Sequence, residues 1–539
     1  MYSREYRNAR FLVVEGNTQL RLALERMLKS FGAWYIDLAS NGEDAIGKCE
    51  TGLFDVVICD YQLPGRNGQH VLEELRERKI LRHTSLFIMM SSETTREMVL
   101  AAIDHQPDAY VNKPVTADIL KQRLDSLLVD NEVLYEIKHA QDMEKWSEAI
   151  YRCEEKIAKV SKYARWCEKT VAQLYFQSGD YQEALRVYRS VLESRVLIWA
   201  QIGIARIHIA LAEYAEAEAL LRKVVNGAPH CLIACDLLSE VLIHQGQVRE
   251  AQDLLADAVR MSPTAIRRHA RLGEVSWSNQ DVDCSAEAFR NAVELGQKSI
   301  FDAAENHLGF ARSLCEKAES LPIPMRESRV NEALQILQVT AERFALRDHD
   351  RFQLEVVTSK AQHALGDWLQ RNEALQRAEI LYSRVSPNLP NDRLMDYAKV
   401  LLASDKALEA EFVLSQLQLL NADDQELLKR IEELREEPVS LAARQKAAQL
   451  NREGIHAAEA EDLLQAVTIF EEALEYSPKH PALNLNMIQV LLKILNQTPQ
   501  DQRCRQLCEG CFARLGHLQP THKQYPRYQH LKSRFEVTA

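Results

Sequence analysis

The residues best placed to do chemistry in this 539-residue chain sit in FDVVICDYQLPGRNG, residues 54–68. Val56, Val57, Ile58 and Cys59 make an apolar run without alternation, the pattern of a strand covered on both faces. The run stops on an acid, Asp60, and opens into a Pro/Gly turn. Other short apolar runs end on polar residues in the same way: FLVV (11–14) on Glu15, SLFIMMS (85–91) on Ser91, and AYVNKP (109–114) on Lys113. Open α/β sheets place their chemistry at the carboxyl ends of strands. Aspartate is a competent nucleophile toward a phosphoryl donor. Such a transfer needs little covalent help and much charge stabilisation. Asp60 is read as the acceptor and Lys113 as part of that stabilisation.

These ends must be brought together by the elements between them. An amphipathic stretch carries Leu20, Leu24, Met27, Leu28 and Phe31; WYIDLA (34–39) is a further strand; a helix beginning at Ala45 and Ile46 ends at Gly52. Helices are also expected around Val71, Leu72 and Leu75, at 94–104 and at 115–129. Five βα units predict a doubly wound parallel sheet with helices on both faces, a flavodoxin-like α/β fold. In the order 2-1-3-4-5 the first and third strands are neighbours. Glu15 then lies beside Asp60, with Ser91 and Lys113 on the next strands along.

As a set, DYQLPGRNG, MSSE (90–93) and YVNKP (110–114) resemble the receiver domain of two-component response regulators, over about residues 9–129. The resemblance implies phosphorylation of Asp60 by a histidine kinase or phosphotransfer protein. It implies that Ser91 and Lys113 contact the phosphoryl group, that Tyr110 moves inward with Ser91, and that the Lys113–Pro114 bond is cis. It also implies Mg²⁺, held by Asp60, Glu15 and the backbone carbonyl of Gln62. The chain departs from the family at one point. Two adjacent acids follow the first strand in the family, whereas here Gly16 follows Glu15 and supplies no carboxylate, which weakens the metal site. The alternative is a pseudo-receiver that keeps the fold without the switch.

From about residue 131 the alternation ends and the chain reads as helical. Ala149, Ala184, Ala217, Ala251 and Ala286 recur at steps of 35, 33, 34 and 35. Tyr188, Leu221 and Leu255 follow three of them by four residues, and Pro229 and Pro263 follow two of them by twelve. Gly454, Ala466, Phe470, Ala473 and Pro478 repeat the pattern near the C-terminus. This resembles the tetratricopeptide repeat, a helix-turn-helix of about 34 residues. The expected segments are a receiver at 1–130, repeats at 131–300, divergent helical hairpins at 301–440, and a final repeat with capping helices at 441–539. EEPVS (436–440) is a candidate hinge.

Composition narrows the function. A net charge of −12 lacks the basic clusters that phosphate neutralisation demands, so nucleic acid is not expected as a partner. No apolar run approaches the roughly 20 residues that span a bilayer, and MYSREYRNAR lacks the apolar core of a signal peptide. Eleven scattered cysteines fit reduced thiols, and a cytoplasmic location is expected. Cys504, Cys508 and Cys511 have iron–sulfur-like spacing, but i, i+4, i+7 is also one face of a helix, and core packing is the expected role. Cys231 and Cys235 are read alike. The tail HKQYPRYQHLKSRF (522–535) is expected to cap the last repeat. No nucleophile–base dyad, P-loop or Rossmann motif is present, so the chain is not read as an enzyme. The expected output is a protein or peptide client on the concave face of the repeats; with a pseudo-receiver the chain would instead be a constitutive scaffold. Nothing in the sequence decides for or against a homodimer.

Overall fold

The computed structural model describes residues 3–92, 107–159, 162–194, 196–297, 299–386, 389–516, 518 and 522–538. The helix expected at 94–104 lies outside them. The chain forms two compact units, Met1–Asp367 and Trp368–Ala539. The boundary between them falls inside the stretch expected at 301–440, and the four segments remain a proposal.

The first unit opens with a five-stranded parallel sheet in the order β2-β1-β3-β4-β5. The strands are β1 (Arg10–Val14), β2 (Tyr35–Ala39), β3 (Val56–Asp60), β4 (Leu86–Ser91) and β5 (Ala109–Asn112). The flanking helices are α1 (Ser3–Asn8), α2 (Thr18–Phe31), α3 (Gly42–Thr51), α4 (Gly68–Glu77) and α5 (Ala117–Asp142). The sheet is buried on both faces. Phe11, Val13, Val56, Ile58 and Ile88 pack on one side, and Leu12, Val14, Val57, Cys59 and Phe87 on the other. Four helices start where a polar side chain accepts a free backbone N–H: Asn17 at α2, Asn41 at α3, Asn67 at α4 and Thr116 at α5. These caps fix where each turn above the sheet hands over to a helix. The short α1 was not expected; Tyr6 anchors it, buried and donating a hydrogen bond to Asp125 of α5 at 2.8 Å.

α5 is longer than the sequence pattern suggests. It runs 26 residues without a break, and its second half is already the first helix of the repeats. Leu134, Ile137 and Ala140 pack with Ala149, Cys153, Cys167 and Val171 of the next two helices, Trp146–Ala158 and Ala164–Gln177. Helical hairpins continue from there to Leu365. The recurring alanines 149, 184, 217 and 251 are wholly buried, where a larger side chain would force paired helices apart. Glycine takes the same role where an aromatic ring crosses. A Cβ on Gly203 would sit 2.2 Å from the Tyr188 ring, and one on Gly454 2.8 Å from the Phe470 ring.

The second unit is wholly helical among its described residues. Asp424 caps the acidic helix Gln425–Arg435, which buries Leu427 and Ile431, leaves Glu426, Glu432 and Glu433 outside, and buries the Arg435 side chain against Glu411. Ser440 caps Leu441–Glu459 just after EEPVS. Cys504, Cys508 and Cys511 line one face of Gln502–Arg514 and are buried in the core around Phe470 and Leu491. The final helix, Tyr525–Thr538, buries Leu531 against that core and lays Tyr525, Tyr528 and Phe535 over it. Among the described residues no helix is long and apolar enough to cross a membrane.

Candidate functional site

The carboxyl ends of β1, β3 and β5 converge as the strand order requires. Glu15 is the residue after β1, Asp60 is the last residue of β3, and Lys113 is the residue after β5. The Lys113 ammonium reaches both acids, with Nζ 2.7 Å from Glu15 Oε2 and 2.8 Å from Asp60 Oδ2. Both acids are almost fully buried, with 2% of Glu15 and 4% of Asp60 exposed. Two buried carboxylates side by side repel each other and resist desolvation, so a shared counter-charge is what makes the pair tolerable. Burial holds the Asp60 carboxyl above the usual aspartate range; the hydrogen bond from Lys113 opposes this and the charge of Glu15 adds to it. Burial works against the Lys113 ammonium, but its hydrogen bonds to Asp60 and Glu15 outweigh that and keep its pKa above the ordinary lysine value.

The rest of the site is held from the backbone. The Asn17 N–H donates to Glu15 Oε1 at 2.9 Å, and Arg21 Nη1 donates to the Glu15 carbonyl at 2.6 Å. Ser91 ends β4, buried, and its carbonyl accepts the Lys113 N–H at 2.7 Å. The Lys113–Pro114 peptide bond is cis. Tyr110 is half-buried on β5 opposite Met89; burial and the neighbouring Tyr61 push its phenol up to about 12. The turn after Asp60 is tied down by Arg66, which pairs with Glu74 of α4. These anchoring contacts run between a turn and the helix or strand beside it, at separations of two, six and eight residues for Asn17–Glu15, Arg21–Glu15 and Arg66–Glu74, so helical or strand periodicity gives no sign of them. Only the cap at Asn17 has a local signature.

Gly16 has a steric reason. A Cβ there would lie 3.0 Å from Cδ of Pro64, so a side chain requires the Pro64 ring to yield. The turn after β3 therefore folds down over the place where a second carboxylate would stand. For Mg²⁺ the donors are of the right chemistry, since hard carboxylate oxygens of Glu15 and Asp60 already converge on one cation, Lys113 Nζ. Their number is small, and Gln62 lies exposed in the turn after Asp60. The residues fit a Mg²⁺ ion that keeps most of its water.

Glu305, His349 and Asp350 form a second set of potential ligands, with donor atoms within 4.8 Å of one another. Arg347 pairs with both Glu305 (2.6 Å) and Asp350 (3.2 Å), so the two carboxylates already share one guanidinium.

Comparison with known proteins fits this geometry. Residues 11–125 match the response regulator receiver domain family, and residues 175–239 match a tetratricopeptide repeat family. Chemotaxis protein CheY-3 of Vibrio cholerae is 29% identical over 121 residues, spanning 22% of this chain and 92% of the relative. Chemotaxis protein CheY of Pseudomonas aeruginosa is 26% identical over 118 residues, spanning 22% and 94%. Among solved structures, the receiver domain of Francisella response regulator 1452 aligns at 24% identity over 23% of this chain and 98% of its own, with a TM-score of 0.21. The chain thus begins with a response regulator receiver domain, and tetratricopeptide repeats follow it.

Proposed function

We propose that the chain is a phosphorelay response regulator whose output is protein binding by its helical repeats. The observation that carries this reading is the buried Asp60 carboxylate sharing the Lys113 ammonium with Glu15. Asp60 Oδ attacks the phosphorus of a partner's phosphohistidine. An O–P bond forms, the P–N bond breaks, and the imidazole leaves and regains a proton from solvent. Lys113 follows the transferred charge, and the Ser91 hydroxyl donates to a phosphoryl oxygen. Mg²⁺, bound by Asp60, Glu15 and the Gln62 carbonyl, would supply further charge neutralisation. Tyr110 reports the change at the edge strand. A histidine kinase or phosphotransfer protein is the donor, and a protein or peptide client binds the repeats. The protein acts in the cytoplasm, by binding rather than by turnover.

The contact between Gly16 and Pro64 favours a second reading. A site short of one carboxylate serves equally as a fixed docking domain, and the whole chain as a constitutive scaffold.

Incubation with acetyl phosphate and Mg²⁺ separates the two, with intact mass as readout and Asp60→Ala as control. A phosphoryl adduct absent from the variant is the expected result. No adduct and no Mg²⁺ binding by titration would leave the scaffold.

A further inference from the structure

Among the described residues, the receiver meets the repeats through a tight contact at the end of α5, with the exposed pair Lys79–Glu144 (3.2 Å) beside it, and through a looser one at α4. At the base of the sheet, the end of α5 grips the loop before β4. Asp142 accepts the backbone N–H of His83 (2.5 Å) and of Thr84 (3.2 Å) and the Thr84 hydroxyl (2.8 Å), while Asn131 Nδ2 donates to the Thr84 carbonyl (2.8 Å). With α5 itself continuous, this end is fixed.

The second place is the far end of α4. Glu77 meets Arg267 at 3.2 Å, both more than half exposed. Arg267 belongs to the helix Ile266–Ser278, the first helix of its hairpin. First helices crowd together along this unit: Ala164–Gln177 touches Ile198–Ala210, which touches Leu232–His244, and Ile266–Ser278 touches Ala304–Ala318. They therefore form the inner side of the stack, where a client is expected. A cavity of about 390 Å³ remains under the contact, walled by Leu72 and Arg76 of α4 and by Ile233, Asp236, Ile266 and Arg267 of the repeats. An exposed ion pair contributes about 0–1 kcal/mol, and the cavity shows that little apolar packing supplements it. While paired with Glu77, Arg267 also lies over the Phe301 ring, 4.2 Å from its centroid, a contact that does not depend on Glu77.

The near end of α4 is bound tightly to the phosphoacceptor. A Cβ on Gly68 would lie 2.2 Å from the Asp60 carbonyl oxygen, and the Gly68 N–H donates to the Tyr61 carbonyl at 2.9 Å. Val71, Leu72 and Leu75 are fully buried along the helix and seat it against the strands that end at the site. We propose that α4 is a lever, pivoted at the Asp60 turn and latched by Glu77 to the inner face of the repeats, and that displacement of the Asp60 turn lifts the latch and uncovers that face. The proposal rests on the reading of Asp60 as a switch, but its mechanics can be tested without phosphorylation.

The full chain is followed by hydrogen exchange in the last turn of α4 and in the helices Leu232–His244 and Ile266–Ser278. Glu77→Arg should raise exchange in all three severalfold, and Glu77→Arg combined with Arg267→Glu should restore protection. Gly68→Ala drives its methyl against the Asp60 carbonyl and should raise exchange in the two repeat helices with Glu77 intact; unchanged sheet protection serves as the folding control. If that control fails, beryllofluoride with Mg²⁺ on the unmodified chain displaces the turn instead, with the same result expected. Unchanged repeat helices in Glu77→Arg, or no rescue by the double variant, would overturn the latch. Repeat helices blind to both Gly68→Ala and beryllofluoride would overturn the lever. A phosphoryl adduct on Asp60 with unchanged repeat helices would overturn the lever and leave the proposed function standing. Opening by Gly68→Ala without any adduct would support the lever and remove the proposed switch.

Discussion

Two clusters in this chain carry residues whose spacing suggests chemistry, and burial treats them oppositely. At the strand ends, Glu15, Asp60 and Lys113 come from separate strands and meet as one ammonium between two carboxylates. In the last hairpin, Cys504, Cys508 and Cys511 come from a single helix and are buried among the apolar residues around Phe470, with polar contact, among the described residues, only from that helix and its cap, as where Arg514 donates to Cys511 Sγ at 3.1 Å. Burial pushes the Cys504 thiol up to about 11 and the Cys508 thiol up to about 12, well away from the thiolate a metal would need. Spacing along one element says only which residues share a face. Chemistry begins when another element delivers an opposite charge to that face.

The sharpest way to break the contrast is to remove that charge. Lys113→Met leaves two buried carboxylates without a counter-ion, at a cost of about 3–5 kcal/mol by denaturant unfolding near neutral pH. The loss should shrink as the pH falls and one acid takes up a proton. A variant as stable as the parent at pH 7 would mean that Lys113 does not balance the site. A smaller effect is expected at the thiols. Cys508→Ser buries a hydroxyl among apolar groups and should cost about 1–3 kcal/mol, and the three thiols should resist iodoacetamide until the unit unfolds. Rapid native alkylation would contradict their burial.

The smallest effect concerns Asp60 alone. Its folded pKa lies above the unfolded value, so the stability it contributes is present below the ordinary aspartate range and lost as the pH rises through the folded value. Near neutral pH the ionised acid is thus a burden on the fold. Asp60→Asn should raise Tm at pH 7, and the advantage should fade as the pH drops far enough to protonate Asp60 in both states. A Tm lowered by Asp60→Asn at pH 7 would show that its pairing with Lys113 outweighs its burial.

The strand ends were legible because each strand is a short apolar run that stops abruptly, and the 2-1-3-4-5 order then brings those ends together. The repeat was legible in its small residues, since Ala149, Ala184, Ala217 and Ala251 answer to one steric demand. The length of α5 was not. Neither glycine nor proline occurs within Ala117–Asp142, so no local signal marks residue 130 as an end or as a continuation. The six residues of α1 are too few for a period, and Tyr6 is explained by its tertiary partners, the rings of Phe11 and Phe31 and the distant Asp125. The pairing of Glu77 with Arg267 lies further still from any local pattern, because it depends on how one folded region lies on another.

The continuity of α5 also bears on biosynthesis. The chain leaves the ribosome N-terminus first, and domains tend to fold as units in that order. When the sheet closes and recruits Leu120 and Leu124, the helix already extends toward Leu134, Ile137 and Ala140, which wait for Trp146–Ala158 and Ala164–Gln177. Starting a helix is the costly step and lengthening it is cheap. The receiver therefore spares the first hairpin its nucleation, and the repeats grow outward from a helix that has already formed.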